Sequence, residues 1–232
     1  MNRISFIKRE LPYEIEEEIK TLRTNIQFCG EDKKVIMFTS CISGEGKSTT
    51  ALQVAMSLSE LNKKVALIDC DLRKSILISQ VEEGTVESGL SHFLAGQCKF
   101  ADALYATNVP RLAVMFAGVV PPNPTELLSG ERFKKMIESL REGFDYVIID
   151  CAPIGMVVDA AIVAPVCDGT ILIIESGIIK RKFAASSKAK LDRTGTPLLG
   201  IVLNKVDHKK DGKYYGKYYG KRYSKYYKKN ED

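Results

Sequence analysis

The sequence predicts an α/β fold, a mostly parallel β-sheet flanked by helices on both faces, and two observations carry that expectation. Six short runs are almost wholly apolar: VIMFTS (35–40), VALIDCD (65–71), LAVMFAG (112–118), YVIID (146–150), TILIIE (170–175) and LLGIVLN (198–204). Strands without polar alternation are buried on both faces. Helical stretches lie between most of these runs, and successive parallel strands need such crossovers. At 232 residues the chain is long enough for one domain with a well-buried sheet.

Element by element, Ile15, Ile19, Leu22 and Ile26 recur at spacings of four, three and four, which marks one face of a helix over 14–26. The strand at 35–40 leads through a glycine-containing loop into a helix from Lys47 to about Leu61. PPNPTELL (121–128) is a proline-rich turn feeding a helix that ends near Gly143. Ligands of such folds sit at the carboxyl ends of the strands. Beyond Asp207 the character changes. KKDGKYYGKYYGKRYSKYYKKNED contains no aliphatic residue and repeats a G-K-Y-Y unit, so residues 208–232 are expected to form a disordered tail. Nine Lys or Arg there oppose three acids, so the tail is basic and the rest of the chain close to neutral.

Some classes are disfavoured at once. No run of eighteen apolar residues suggests a transmembrane helix, and the N-terminus lacks a secretory signal. The six cysteines form no C-x-x-C pair, and two histidines offer no zinc-ligand spacing. Scattered single cysteines fit a reducing cytosol.

The chemistry is expected at three strand ends. Gly44-Glu45-Gly46-Lys47-Ser48-Thr49 lies between a buried strand and a helix. Glycines let backbone N–H groups turn around phosphate oxygens, the helix N-terminus favours negative charge, Lys47 reaches the β- and γ-phosphates, and the Ser48 hydroxyl ligates Mg²⁺. Cys41 stands where the strict pattern has its first glycine. Asp69 and Asp71 end one apolar run and Asp150 another, the arrangement that holds Mg²⁺ and its waters beside phosphates. Asp69 or Asp71 is also a candidate base for an attacking hydroxyl, and at i, i+2 on an extended segment both side chains point the same way.

With these motifs together, the chain resembles the bacterial tyrosine kinases of capsular and exopolysaccharide synthesis in their separate cytoplasmic form. The phosphate loop SGEGKST, the second motif LIDCDLR, the acidic strand VIIDCAP and the terminal tyrosine cluster carry the resemblance, with PPNPTELL and LGIVLNKVD beside them. It implies a P-loop NTPase fold over 1–207, ATP and Mg²⁺ as cofactors, phosphate binding by Lys47, and Mg²⁺ held by Ser48, Asp69 and Asp150. It also implies catalysis involving Asp71, and an adenine contact at Asn204. An E-x-x-R-x-x-R motif serves ring-shaped self-association in that family. Here Glu17 and Arg23 match and Lys20 replaces the first arginine, so residues 1–30 are expected to form a helical oligomerisation segment. Lysine keeps the charge but loses the bidentate fork.

Seven tyrosines, Tyr214, Tyr215, Tyr218, Tyr219, Tyr223, Tyr226 and Tyr227, lie in the tail, and they are expected to be the chain's own substrate. Each phosphate would add about −1.5 to −2 charge, so a few would offset the tail's basicity. By resemblance, a membrane-bound activator recruits the kinase from the cytoplasm to the inner face of the membrane, and a phosphotyrosine phosphatase reverses the reaction. No nucleic-acid partner is expected, although Lys interleaved with Tyr would suit nucleic acid or a membrane surface in isolation. Two rivals remain. Asn204-Lys205-Val206-Asp207 spells the N-K-x-D of a GTPase. A partition-type ATPase would share the loop, but Ile42 stands where those carry a signature lysine.

Overall fold

A computed structural model describes residues 2–7 and 10–207. The elements run β1 (Ser5–Phe6), α1 (Tyr13–Phe28), β2 (Val35–Ser40), α2 (Lys47–Glu60), β3 (Val65–Asp69), β4 (Val81–Glu83), α3 (Leu90–Leu94), α4 (Phe100–Ala103) and β5 (Tyr105–Ala106). They continue with β6 (Leu112–Met115), α5 (Pro124–Ser129), α6 (Glu131–Gly143), β7 (Tyr146–Asp150), α7 (Asp159–Val163), β8 (Gly169–Glu175), α8 (Arg181–Asp192) and β9 (Leu198–Asn204). The main sheet has seven strands in the order β5-β6-β3-β7-β2-β8-β9. All neighbours are parallel except β5, which runs antiparallel to β6 at one edge.

Successive residues of a strand face opposite sides of the sheet, and here both sides are apolar. Val35 and Met37 face a core that contains Ile68, Ile149, Phe133, Leu140 and Leu191. Ile36 and Phe38 face a second core that contains Leu67, Ile148, Val54, Leu58 and Ile26. Helices α1 and α2 thus cover one face, and α6 and α8 the other. Burial on both faces is the reason that the central runs read as continuous apolar stretches.

Four expectations are corrected. The strand placed at 65–71 ends at Asp69, because the Asp69 carboxylate accepts the Asp71 N–H at 3.1 Å and turns the chain. The strand placed at 112–118 ends at Met115; the carbonyls of Phe116 and Ala117 bond Leu90 and Ser91 instead of another strand. The single helix expected up to Gly143 is two, broken at Gly130. β9 is an edge strand, not one buried on both faces, and Ile201 and Leu203 are about half exposed. The short antiparallel pair β1–β4 carried no sequence signal. All six cysteines are free thiols, and Cys41, Cys70, Cys151 and Cys167 are buried.

Candidate active site

The phosphate loop connects β2 to α2 in the middle of the sheet. Gly44 and Gly46 have φ of 92° and 89°, the left-handed region that glycine enters without steric cost. A Cβ at Gly46 would also collide with the side-chain nitrogen of Asn204, which would have to give way. Gly46 also caps α2, so the helix starts on Lys47 with its first-turn N–H groups lacking intrahelical partners. The Glu45 side chain turns away from solvent. Its carboxylate accepts the N–H of Ile42 at 2.7 Å and of Glu175 at 2.9 Å. Thr49 is exposed on the first turn of α2, whereas Ser48 is buried.

β3 and β7 are neighbours, and their register sets Asp69 beside Asp150. β7 also pairs with β2, Asp150 opposite Phe38, which brings both carboxylates next to the strand that launches the loop. Lys47 reaches into this corner. Its Nζ lies 2.9 Å from Asp71, 3.3 Å from Asp150 and 3.2 Å from the Ser48 hydroxyl. The Asp69 carboxylate accepts the Ser75 hydroxyl at 2.5 Å. Lys47, Asp69, Asp71 and Asp150 are therefore one buried cluster. Asp71 joins it through the turn after β3, not through the period of an extended strand.

Three carboxylates and one ammonium leave this corner short of positive charge. Burial, reinforced by the charge of Asp150, pushes the Asp69 carboxyl up to about 8, against the opposing pull of Ser75 and Lys47. Burial likewise raises Asp150, with Lys47 working against it. Burial alone would lower the Lys47 ammonium, but Asp150 and Asp71 override it and hold the lysine charged. A divalent cation would relieve that deficit. Among the described residues no cluster of three His, Cys, Asp or Glu forms a metal cage. Two level carboxylates and a hydroxyl instead suit an ion that keeps several waters and takes its remaining ligands from a phosphate, as Mg²⁺ does.

Other residues of the sequence reading lie elsewhere. Asn204, at the end of β9, donates its amide to the Glu45 carbonyl at 2.8 Å. On α1, Lys20 pairs with Glu16 at 2.8 Å and Glu17 at 2.9 Å within the helix. Arg23 points at α2 of its own chain and donates to the carbonyl and hydroxyl of Ser57, both at 3.0 Å. The tail tyrosines Tyr214, Tyr215, Tyr218, Tyr219, Tyr223, Tyr226 and Tyr227 lie outside the described residues.

Sequence reasoning missed Arg73. Its guanidinium grips Asp159 through two bonds of 2.6 and 2.9 Å and reaches Thr125 at 3.2 Å. Asp159 is fully buried, so the pair pins the turn carrying Asp71 and Ser75 onto α7 and α5. The only available signal was the arginine that ends LIDCDLR.

Comparison with known proteins adds three findings. Residues 33–178 match the AAA domain family. The tyrosine-protein kinase CpsD of Streptococcus agalactiae is 46% identical over 192 residues, covering 83% of this chain and 84% of the relative. Two solved structures superpose on the fold. The chimerical protein CapA2B2 gives a TM-score of 0.79 at 29% identity, over 88% of this chain and 93% of the other. The kinase domain of the Escherichia coli tyrosine kinase ETK gives 0.77 at 27% identity, over 83% and 77%. Among the described residues no helix is long and apolar enough to cross a membrane.

Proposed function

The chain belongs to the bacterial protein-tyrosine kinase family, and we propose that it transfers the γ-phosphoryl group of ATP to the tyrosines of its own tail. The observation that carries this reading is the sharing of Lys47 between Asp71 and Asp150 at the head of the phosphate loop. Phosphoryl transfer needs little covalent chemistry from a protein and much positioning and charge neutralisation. In this reading the backbone of 44–49 and the first turn of α2 bind the phosphates, and Lys47 leaves the carboxylates to neutralise transferring oxygens. Ser48, Asp69 and Asp150 would hold Mg²⁺, which supplies further neutralisation of the phosphate charge. Asp71 receives the proton of the attacking phenol, whose ordinary pKa is near 10. Asp71 suits that role because it lies one turn beyond the level pair Asp69 and Asp150 and already faces the lysine.

The tail suits the role of substrate on distance as well as composition. Asn204 touches the phosphate loop, and Tyr214 follows ten residues later. Ten residues span at most about 36 Å when extended, so the tail tyrosines can reach a site on the same chain or on a neighbour.

Ring-shaped self-association is part of the proposal. It is supported by two exposed surfaces on opposite faces of the sheet. Glu14, Glu16, Glu17 and Glu18 line the exposed first half of α1 beside Ile15. Lys180, Arg181, Lys182, Lys188, Lys190 and Arg193 line α8 and its ends against the single acid Asp192. Surfaces of opposite charge on opposite faces can meet only between copies, head to tail, and such contacts give a ring when the rotation between copies closes. A membrane-bound activator that recruits the kinase to the inner face of the membrane, a phosphotyrosine phosphatase and a role in capsule or exopolysaccharide export complete the reading.

The test is incubation of the full chain with Mg²⁺-ATP and a candidate activator, followed by mass mapping. Phosphate is expected on several of Tyr214, Tyr215, Tyr218, Tyr219, Tyr223, Tyr226 and Tyr227, and none with Lys47→Met. Phosphate confined to Tyr13, Tyr105 or Tyr146 would refute the assignment of the tail.

A further inference from the structure

We propose that Lys205, working beside the amide nitrogen of Asn204, is a positioning residue that holds the phosphate loop in its anion-binding shape, and that the lysine does not read the nucleotide base. The inference deepens the nucleotide-site reading and rests on it. A loop that turns its N–H groups toward phosphate oxygens must turn carbonyls outward, and each outward carbonyl needs a donor. Three consecutive carbonyls have one. Gly44 O accepts the Lys205 ammonium at 2.8 Å, Glu45 O accepts Asn204 Nδ2 at 2.8 Å, and Gly46 O accepts the Thr50 hydroxyl and N–H, both at 2.9 Å.

The donors at Gly44 and Glu45 come from the end of β9, and they are cross-braced to the end of β8. Lys205 bonds Glu175 Oε2 at 3.0 Å, and the Glu175 N–H donates to the Glu45 carboxylate. The contacts form a closed circuit from Gly44 to Lys205, to Glu175, to Glu45 and back. Two backbone features show that the circuit is held tightly. Lys205 has φ of 54°, a conformation that a residue with a side chain seldom adopts and that persists where the surroundings over-determine it. Gly46 lies so close to Asn204 that a Cβ there would push the amide off the Glu45 carbonyl. Asn204 and Lys205 therefore act from the side of the loop, and the lysine faces the loop backbone.

A base reader and a positioning residue predict different losses, so binding to the full chain separates them. Titration with Mg²⁺ would use ATP, GTP and inorganic tripolyphosphate, comparing wild type with Lys205→Met and Lys205→Arg. Lys205→Met is expected to weaken all three by about the same factor, near tenfold, with the ATP-to-GTP ratio unchanged and Lys205→Arg recovering part of the loss. If Lys205→Met does not fold, as judged by thermal melting, Lys205→Gln carries the same comparison. A shifted ATP-to-GTP ratio with tripolyphosphate binding intact would make Lys205 a base reader and overturn the proposal. Unchanged affinity for all three would reduce it to a surface ion pair and also overturn it. Wild type that binds none of the three would instead remove the nucleotide site on which the inference stands.

Discussion

The two flanks of the phosphate loop are built on opposite electrostatic terms. On the β3–β7 flank, Asp69, Asp71 and Asp150 are buried around one lysine, and burial raises two of the carboxyls, Asp69 up to about 8. On the β8–β9 flank the groups are matched. The Glu45 carboxylate has two N–H donors, and Glu175 pairs with Lys205, which also caps a carbonyl. The first flank stores unfavourable negative charge that a divalent cation can relieve. The second fixes backbone and has little to gain from a ligand. A site that must bind and release charge needs both, one flank poised and one rigid.

The sharpest way to break that contrast is to neutralise the poised flank. Asp69→Asn keeps the shape and can still accept the Asp71 N–H. The raised carboxyl of Asp69 contributes stability that is complete below about pH 4 and is lost as pH rises through about 8. With a chelator present and no nucleotide, wild type should therefore melt lower at pH 9 than at pH 5, and Asp69→Asn should flatten that dependence. Phosphotyrosine formation should also fall steeply in the same variant, because one of the carboxylates that would hold Mg²⁺ is lost. A steeper pH dependence in Asp69→Asn would contradict the charge assignment.

Next in size is the clamp under the same flank. Arg73→Ala leaves Asp159 buried beside an empty place, which should cost about 2 kcal/mol in urea unfolding. Arg73→Lys should recover part of it. On the matched flank, Glu45→Gln replaces one acceptor of a backbone N–H by a donor, and a loss of about 1 kcal/mol is expected together with weaker nucleotide binding. The smallest effect lies outside both flanks. Lys20 is tied to Glu16 and Glu17 on the surface of α1, and Lys20→Ala should leave the melting temperature of the monomer unchanged within error.

The same contrast explains how much was legible in the sequence. The central strands β2 and β7 were found with their bounds, because burial on both faces leaves a continuous apolar run. The poised flank was legible too, since carboxylates at the ends of such runs stand out. What closes the strands was not. The turn at Asp69 depends on its own side chain accepting a backbone N–H, and β6 gives way where its chain starts bonding α3. An apolar run does not reveal its place in the sheet, so β9 read as buried although it is an edge. Arg73 and Asp159 lie 86 residues apart, and no spacing rule connects them. The matched flank works through the carbonyls of Gly44 and Glu45, which every residue possesses. The bonds that Asn204 and Lys205 make to those carbonyls therefore had no signal in the sequence.

The most direct test compares Asp71→Asn with Lys205→Met for the rate of phosphotyrosine formation at saturating Mg²⁺-ATP. If one flank performs the transfer and the other shapes the cradle, saturation should restore Lys205→Met close to the wild-type rate and leave Asp71→Asn almost inactive. Equal losses in both variants under saturation would contradict that division.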